Sequence, residues 1–350
     1  MSTDVSAAPG LPASPSLPLR LGRGVLWPAR AVVGGLDRVA ARLDGPASQT
    51  TGATRVRRAV ALLIAAYALV YEAQGLAHGK FISPVGAILM IVPFALWTNR
   101  GGRFLRDWVP VLVGLLAYGT TIAAVPDLGL AVHYTPQIDA DRILGFGTLP
   151  TEWLQAHLYH GHTGVLELFS VLMYLSHFFA PVILAFLLWA VWNRRWFAEL
   201  FFAILAVSLL GDITFLLAPT APPWLAAEHG LIAPIHPIIK DGLFDLHLNA
   251  LAVNKGDASS YNVVAAVPSL HAAWPVICLL VIRKHGLPRW LFMSQAALAV
   301  GVIFAIVYTG EHYAVDAVAG ILYALAAWWL VQTALGARRH TDSPAGNIAG

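Results

Sequence analysis

The sequence has 350 residues, of which 58% are hydrophobic and 12% are charged, and its formal net charge is +3. Its apolar runs are too long for the core elements of a soluble domain, so the composition excludes a soluble globular protein and predicts an all-α polytopic membrane protein. The single Cys278 excludes an intramolecular disulfide and a cysteine metal cluster.

The first 58 residues are predicted to form a cytoplasmic tail. Residues 1–18 are rich in Ser, Pro and Ala and lack the apolar segment of a signal peptide, so we expect disorder there. Residues 19–42 contain five arginines at spacings that separate a basic face from an apolar one. This pattern predicts a helix lying on the inner leaflet and held by anionic lipid. A solvated basic tail is the alternative.

Apolar stretches of nearly membrane-spanning length follow the tail and predict about eight transmembrane helices. The predicted spans are 59–77, 82–97, 107–125, 165–192, 198–218, 270–284, 290–309 and 312–335. The stretch at 270–284 is short for a full crossing, so we expect its outer end to begin below the membrane surface, at the floor of a pocket. Residues 337–350 form a second cytoplasmic tail.

The basic residues predict the orientation of these helices. With eight crossings, all but four of the 22 lysines and arginines fall on one side, and this side is therefore predicted to be cytoplasmic, together with both termini. The four exceptions are Lys80, Arg142, Lys240 and Lys255. The long polar loops 126–164 and 219–269 then lie outside the cytoplasm, where we expect the chemistry.

Three ionisable residues, Glu311, His312 and Asp316, stand at the start of the last apolar stretch. Each costs about 2.5 to 3.5 kcal/mol at a bilayer centre, so we expect them to serve chemistry, a substrate pathway or an internal ion pair. His312 and Asp316 are four residues apart and share one helix face. The carboxylate can accept one ring N–H and leave the other nitrogen as a nucleophile or base. Glu311 either tunes His312 or is solvated.

A second motif, VPSLHAAW at 267–274, predicts a helix start that carries another histidine. Ser269 is the predicted N-cap, which leaves the backbone N–H groups of Leu270 and His271 available to a phosphate. Two such histidines suit phosphoryl transfer through a phosphohistidine, in which His312 attacks phosphorus and His271 acts first as acid and then as base. Neither a metal ion nor another cofactor is required. The alternative is that both histidines are unrelated polar residues satisfied inside a helix bundle.

Other residues have two readings each. Asp212 lies about two turns inside the outer end of its helix, where it either belongs to a pocket or caps a loop. Trp224 is a candidate for lining the site. The histidines within 157–162 favour the polar face of an interfacial helix over a metal site. His177, in the middle of a span, favours a hydrogen-bonded core residue over a catalyst.

Several motifs resemble one known family. PSLH followed by EHYAVD resembles the second and third signature motifs of the type 2 phosphatidic acid phosphatase (PAP2) superfamily, in the branch that contains the inositol phosphorylceramide synthases. APTAPPWL at 218–225, ASSYNVVAAVPSLH at 258–271 and DADRILGFGTLPTEWLQ at 139–155 are similar to that branch as well. The last of these carries Gly145 as one extra residue.

The resemblance covers residues 107–336 and implies a six-helix catalytic core, with two extra helices in 59–106. It also implies that His312 is the nucleophile, Asp316 its partner and His271 the acid.

The sequence departs from the wider superfamily at the cations expected around the phosphate. It contains neither an Arg-Pro nor a Ser-Arg dipeptide, and Ile306 stands six residues before His312, where the usual phosphatases have the Ser-Arg pair. Lys255 and Lys240 are therefore the main candidates for binding phosphate, with Arg142 as a third. A phosphomonoester brings nearly two negative charges and a phosphodiester one, so a cation-poor site favours a diester.

The function favoured by these patterns is a membrane phosphotransferase that moves a phospho-head-group, such as inositol phosphate, from a glycerophospholipid to a lipid alcohol. A phosphatase acting on lipid phosphates or polyprenyl diphosphates with water is the alternative, and a non-enzymatic transporter is a third class. The expected partners are lipid substrates and the bilayer and not nucleic acid, while an accessory subunit is left open. A composition rich in Ala, Arg and Gly indicates a GC-rich genome and hence a bacterium, so the predicted location is the bacterial plasma membrane.

Overall fold

The fold consists of α-helices. The computed structural model describes residues 34–80, 84–125, 128–248 and 264–341. The helices are α1 (34–43), α2 (Thr51–Ala77), α3 (Pro84–Leu89), α4 (Ile91–Trp97), α5 (Gly101–Ala124), α6 (Thr135–Leu144), α7 (Pro150–Leu158), α8 (Val165–Ala190), α9 (Arg194–Leu217), α10 (Pro223–Glu228), α11 (Ile238–Asp245), α12 (Leu270–Lys284), α13 (Arg289–Tyr308) and α14 (Ala314–Thr341). No strand forms within these residues, where two isolated bridges join His133 to Thr220 and Thr220 to Ala265. The all-α prediction is confirmed.

Each predicted span overlaps a helix, and some helices extend further. α2 begins at Thr51 and α5 at Gly101, before the predicted starts at 59 and 107, because apolarity marks only the part of a helix that contacts lipid. Five helices are long and apolar enough to cross a bilayer by length and composition, namely α2, α8, α9, α13 and α14 up to Leu335. The chain is therefore an integral membrane protein, whereas the number of eight crossings stays a prediction.

The N-terminal region agrees with its prediction only in part. Residues 1–33, which include most of the predicted interfacial helix, lie outside the described residues, and α1 covers the remainder. The carboxylate of Asp44 accepts hydrogen bonds from the backbone N–H of Gly102 at 2.8 Å and of Arg103 at 2.9 Å, which ties the segment after α1 to the first turn of α5. α5 crosses the predicted boundary at residue 106, and the division into tail, extra helices and core stays a prediction.

α12 lies at the centre of the bundle and contacts α8, α9, α13 and α14. Its side chains at Ala273, Ile277, Cys278 and Val281 have no exposed surface. Lipid tails are as apolar as these side chains, so close packing and hydrogen bonds, more than the hydrophobic effect, hold such helices together. A short central helix can therefore be surrounded on all sides without reaching both membrane surfaces.

A close helix approach joins the start of α12 to α14. A Cβ atom at Gly320 would lie 2.2 Å from the carbonyl oxygen of Ser269, a distance that only a glycine permits. One turn earlier, the backbone N–H of Ser269 donates to the carbonyl oxygen of Asp316 at 3.1 Å. These contacts hold the beginnings of the two helices at the same level.

Ion pairs collect at the opposite end of the bundle. Arg194 Nε donates to Asp107 Oδ1 at 2.7 Å, and Lys284 Nζ donates to Glu199 Oε2 at 2.8 Å. Lys284 is the last residue of α12 and His271 is its second, so the two lie about 20 Å apart at a rise of 1.5 Å per residue. The cytoplasmic placement of the basic end stays a prediction.

We predict that Gly320→Ala destabilises the protein by about 1–3 kcal/mol, since the new methyl group meets backbone atoms that cannot move aside. Thermal unfolding in detergent measures this loss. Gly52→Ala is the matched control, because a Cβ atom at Gly52 meets nothing within 4 Å. Equal unfolding temperatures of the two variants would contradict the close approach.

Candidate active site

A cavity of about 180 Å³ opens where α5, α8 and α12 meet the loop between α13 and α14. Three histidines line it: His177 from α8, His271 from α12 and His312 from the loop. The motif residues 271 and 312, which are 41 positions apart in the sequence, therefore converge on one space.

The rings of His271 and His312 are in direct contact. His312 Nε2 lies 3.1 Å from His271 Nδ1, and His312 Nδ1 lies 3.0 Å from the carbonyl oxygen of Ala266. Because a carbonyl oxygen only accepts, the hydrogen of the neutral His312 ring is assigned to Nδ1. The lone pair on Nε2 then faces the cavity and accepts the Nδ1–H of His271.

Asp316 both supports His312 and caps α14. Its Oδ2 is 3.4 Å from His312 Nδ1, which is the separation of an ion pair more than of a good hydrogen bond. The same oxygen accepts the backbone N–H of Tyr313 at 2.9 Å, as the third residue of a helix does in a capping box. The His312 ring N–H was predicted to bond the Asp316 carboxylate alone. In the structure it lies between that carboxylate and the carbonyl oxygen of Ala266.

The end of α13 determines where His312 stands. Gly310 has φ +77°, and its N–H bonds Val307 O while the N–H of Glu311 bonds Ile306 O. This is a Schellman ending, in which a glycine stops the helix and turns the chain. His312 follows directly, so the sequence YTGEH delivers the ring from the turn between two helices.

The predicted phosphate-binding helix start is present in part. α12 begins at Leu270 with Ser269 at the N-cap position, but the Ser269 hydroxyl makes no capping hydrogen bond. The backbone N–H of Ser269 donates to the carbonyl oxygen of Asp316. The side chain of Leu270 lines the cavity. The N–H groups of Leu270 and His271 belong to the first turn, which has no intrahelical acceptor for them.

His177 was expected to be a core residue, and the structure places it at the site as well. Its ring centroid lies 4.0 Å from that of His271, and the Tyr174 ring stacks on His271 at 4.8 Å. Its Nδ1 bonds the carbonyl oxygen of Tyr174. The available signal was an ionisable residue inside an apolar span, which is functional by default.

The remaining predicted site residues divide into two groups. Trp224 and Glu311 line the cavity. Lys240 is exposed on α11, and Asp212 is buried in α9 with both carboxylate oxygens lacking a hydrogen-bond partner; neither lines the cavity. Lys255 falls outside the described residues. In the part of the chain that is described, no lysine or arginine lines the cavity, and no group of three or more His, Cys, Asp or Glu side chains is arranged for a metal ion.

The motif at 139–155 fixes the loop that carries His312. Asp141 Oδ1 accepts the backbone N–H of Val315 at 2.8 Å, on the second residue of α14. Gln155 Nε2 donates to the carbonyl oxygen of Tyr308 at 3.0 Å, on the last residue of α13. We call Asp141 and Gln155 the brace, since they hold both ends of the 308–315 segment. Sequence reasoning assigned neither residue a role.

Burial raises the pKa of Asp141 to about 6, with the nearby charge of Asp316 acting in the same direction. We predict that this carboxyl contributes stability that is complete below about pH 4 and is lost as the pH rises through about 6, because the folded state binds the proton more tightly. Asp141→Asn keeps an oxygen that accepts the Val315 N–H but removes the titratable carboxyl group. The unfolding temperature of this variant should therefore not fall between pH 4 and 7 as that of wild type does.

The control for this pH series is Asp139→Asn, which makes the same change at an exposed position on the same helix. It should keep the wild-type pH dependence. An Asp141→Asn protein with the wild-type slope would show that another group carries it.

Residues 137–330 match a family model described as the PAP2 superfamily. The chain is 29% identical over 187 residues to a phosphoinositol dihydroceramide synthase of Bacteroides thetaiotaomicron, covering 51% of this chain and 58% of the relative. It is 27% identical over 168 residues to an inositol phosphorylceramide synthase of Candida albicans, covering 47% of this chain and 35% of that protein. The match thus spans little more than half of the first relative and about a third of the second. No solved structure matches.

Proposed function

The chain belongs to the PAP2 superfamily, and on that premise we propose that it is a membrane phosphotransferase that moves a phosphorylated head group between lipids through a phosphohistidine. The observation that carries the proposal is the 3.1 Å contact between His312 Nε2 and His271 Nδ1 at the wall of one cavity. One imidazole presents a lone pair and the other a proton, which are the two groups that displacement at phosphorus needs.

The reaction has two displacement steps. His312 Nε2 attacks the phosphorus of the donor lipid, the bond from phosphorus to the glycerol oxygen breaks, and His271 gives a proton to that oxygen. The acceptor hydroxyl then attacks the phosphohistidine, His271 takes its proton, and the bond from phosphorus to His312 breaks. Throughout, Ala266 and Asp316 hold the proton on His312 Nδ1.

The substrate must separate the two rings. Reacting atoms stand about 3 to 3.5 Å apart in a near-attack geometry, and no phosphorus fits between nitrogens already at 3.1 Å. The described state is therefore a resting one, in which His271 covers the lone pair of the nucleophile.

The charge of the cavity favours a phosphodiester donor. Among the described residues, its ionisable groups are three imidazoles, the carboxylate of Glu311 and the phenol of Tyr118. Little positive charge is therefore available to a phosphomonoester that carries nearly two negative charges. The names of the relatives specify an inositol phosphate head group and a ceramide-type acceptor. We accordingly propose a phosphatidylinositol-like donor and a lipid alcohol as acceptor.

Purified protein should transfer label from phosphatidylinositol, tritiated in the inositol ring, to ceramide or another lipid alcohol. His312→Ala should abolish transfer and His271→Ala should slow it by about 10²–10⁴-fold, while His160→Ala, an exposed residue away from the cavity, should leave it unchanged. Wild-type protein trapped without acceptor should carry the label on His312.

Each other outcome of this assay points to another function. Free inositol phosphate in place of a new lipid, or free phosphate from phosphatidic acid, would indicate a hydrolase. A wild-type protein without any turnover, whose His312→Ala variant behaves identically, would indicate a transporter and refute the proposal.

Two substitutions of Asp316 separate its two roles. Asp316→Asn keeps an oxygen for the Tyr313 N–H, so we expect a nearly unchanged unfolding temperature with transfer slowed by about 10⁴-fold, as when a triad carboxylate is neutralised. Asp316→Ala should lose the cap as well, which lowers the free energy of unfolding by about 0.5–2 kcal/mol and therefore the unfolding temperature. If Asp316→Asn transfers the head group at the wild-type rate, Asp316 only caps α14 and does not support His312 in catalysis.

A further inference from the structure

A second cavity of about 60 Å³ lies beside the catalytic cavity, within the helix bundle. The two share three aromatic residues, Tyr118, Phe178 and Trp274, which we call the neck. The second cavity lies between α5, α8 and α9, and its lining is apolar apart from the hydroxyl groups of Tyr118 and Ser208. The Ser208 hydroxyl already accepts Trp274 Nε1 at 3.2 Å, so the neck presents mainly ring surfaces.

The residues that line this cavity extend along α5 and α8. On α5 its lining residues follow one helical stripe, from Trp108 through Val111 and Leu115 to Tyr118. At a rise of 1.5 Å per residue, the ten steps from residue 108 to residue 118 extend about 15 Å along the helix, away from the histidines and towards the end with the ion pairs. Phe178 to Ala185 on α8 runs alongside. A compact ligand would not need such a stripe, whereas an extended chain would.

α5 lies outside the part of the chain that matches the family model, which begins at residue 137. It nevertheless supplies Gly119 and Ile122 to the catalytic cavity as well as the stripe in the second one. A Cβ atom at Gly114 would lie 3.3 Å from Leu205 Cδ1, so α5 packs closely against α9 beside the cavity. This wall is therefore a feature of this chain beyond the matched region.

We propose that the second cavity binds one alkyl chain of the lipid whose head group reacts at His312, and that α5 sets the selectivity for that chain. An apolar cavity lined by such side chains excludes water and accepts apolar ligands. The neck residues border both this cavity and the one where the phosphate must lie, so a lipid whose chain passes between these rings would occupy both cavities. This inference rests on the proposed function, since it takes the reacting phosphate to belong to a lipid.

The first experiment detects binding without turnover. A phosphatidylinositol with a diazirine at the end of one acyl chain is reconstituted with the full chain in phosphatidylcholine vesicles, irradiated, and the crosslinks are mapped by mass spectrometry. We expect crosslinks on the stripe of α5 and its neighbours on α8 and α9, in wild type and in His312→Ala alike. Excess phosphatidylinositol should reduce them, whereas excess phosphatidylcholine should not.

Ala185→Phe is the test variant, because it fills the cavity from α8, and Ile183→Phe is its control on the exposed side of the same helix. Ala185→Phe should lower the crosslink yield at least about fivefold, and Ile183→Phe should not. Crosslinks that are unaffected by Ala185→Phe, that fall on the exposed helix faces, or that phosphatidylcholine removes equally well would overturn the proposal and indicate bulk lipid. Unfolding temperatures near that of wild type show that both variants are folded.

The second experiment measures selectivity for chain length. The ratio of kcat/KM for a long-chain over a short-chain phosphatidylinositol should fall at least about tenfold in Ala185→Phe, the scale of a single methylene misfit in an apolar pocket, and should stay constant in Ile183→Phe. An unchanged ratio in Ala185→Phe would contradict the proposal. If wild type turns over no lipid, the phosphotransferase proposal fails, and the crosslinking result still decides whether the cavity holds an alkyl chain.

Discussion

The contact between the first residues of α12 and α14 is the constraint on which the site depends. Gly320 lets the Ser269 carbonyl approach α14 at its backbone, and the Ser269 N–H donates to Asp316 O. His271 follows Ser269 by two residues, and His312 lies just before α14. Two helix starts held this closely can bring their histidines to 3.1 Å, whereas a separation one side chain wider would place the rings in different spaces.

The polar contacts outside the bundle serve the same geometry. The segment from Tyr308 to Val315 turns through a Schellman motif at Gly310 and is held at its two ends by Gln155 and Asp141. A loop with this many backbone hydrogen bonds has little freedom, so the His312 ring is oriented before a substrate arrives. Such preorganisation removes a cost that would otherwise fall on the reaction.

The composition of the cavity connects its electrostatics with its substrate. Imidazoles can lose and gain protons during a reaction, whereas guanidinium groups cannot. In the proposed mechanism, a site of three imidazoles would therefore supply proton transfer at both steps and would bind multiply charged phosphates more weakly than a site with guanidinium groups. If the second cavity binds an alkyl chain as proposed, it adds binding energy from a different part of the lipid and compensates for the few cationic contacts.

Much of the fold could be predicted from the sequence, because the length of an apolar stretch indicates directly whether its helix can cross a membrane. The spans at 165–192 and 290–309 nearly coincide with α8 and α13, while α5 extends past its predicted start since hydrogen bonding continues into polar residues. At the site, His271, His312 and Asp316 were assigned together on motif and resemblance. Lys240 was predicted to bind phosphate because it is one of the few basic residues on the predicted extracytoplasmic side. The number of charges on a side does not indicate how far each one lies from the site.

What the sequence determined by itself is local. The four-residue spacing of His312 and Asp316, the glycine that ends α13 and the apolar lengths of the helices all follow from covalent geometry and nearest turns. Only the tertiary structure decided that Asp141 bonds the start of α14 and that His177 contacts His271. It alone also decided that Lys240 lies away from the catalytic cavity and that α5 lines the second cavity. These relations join residues up to 174 positions apart, and their distances depend on how helix faces pack in three dimensions, which no periodicity along one chain encodes.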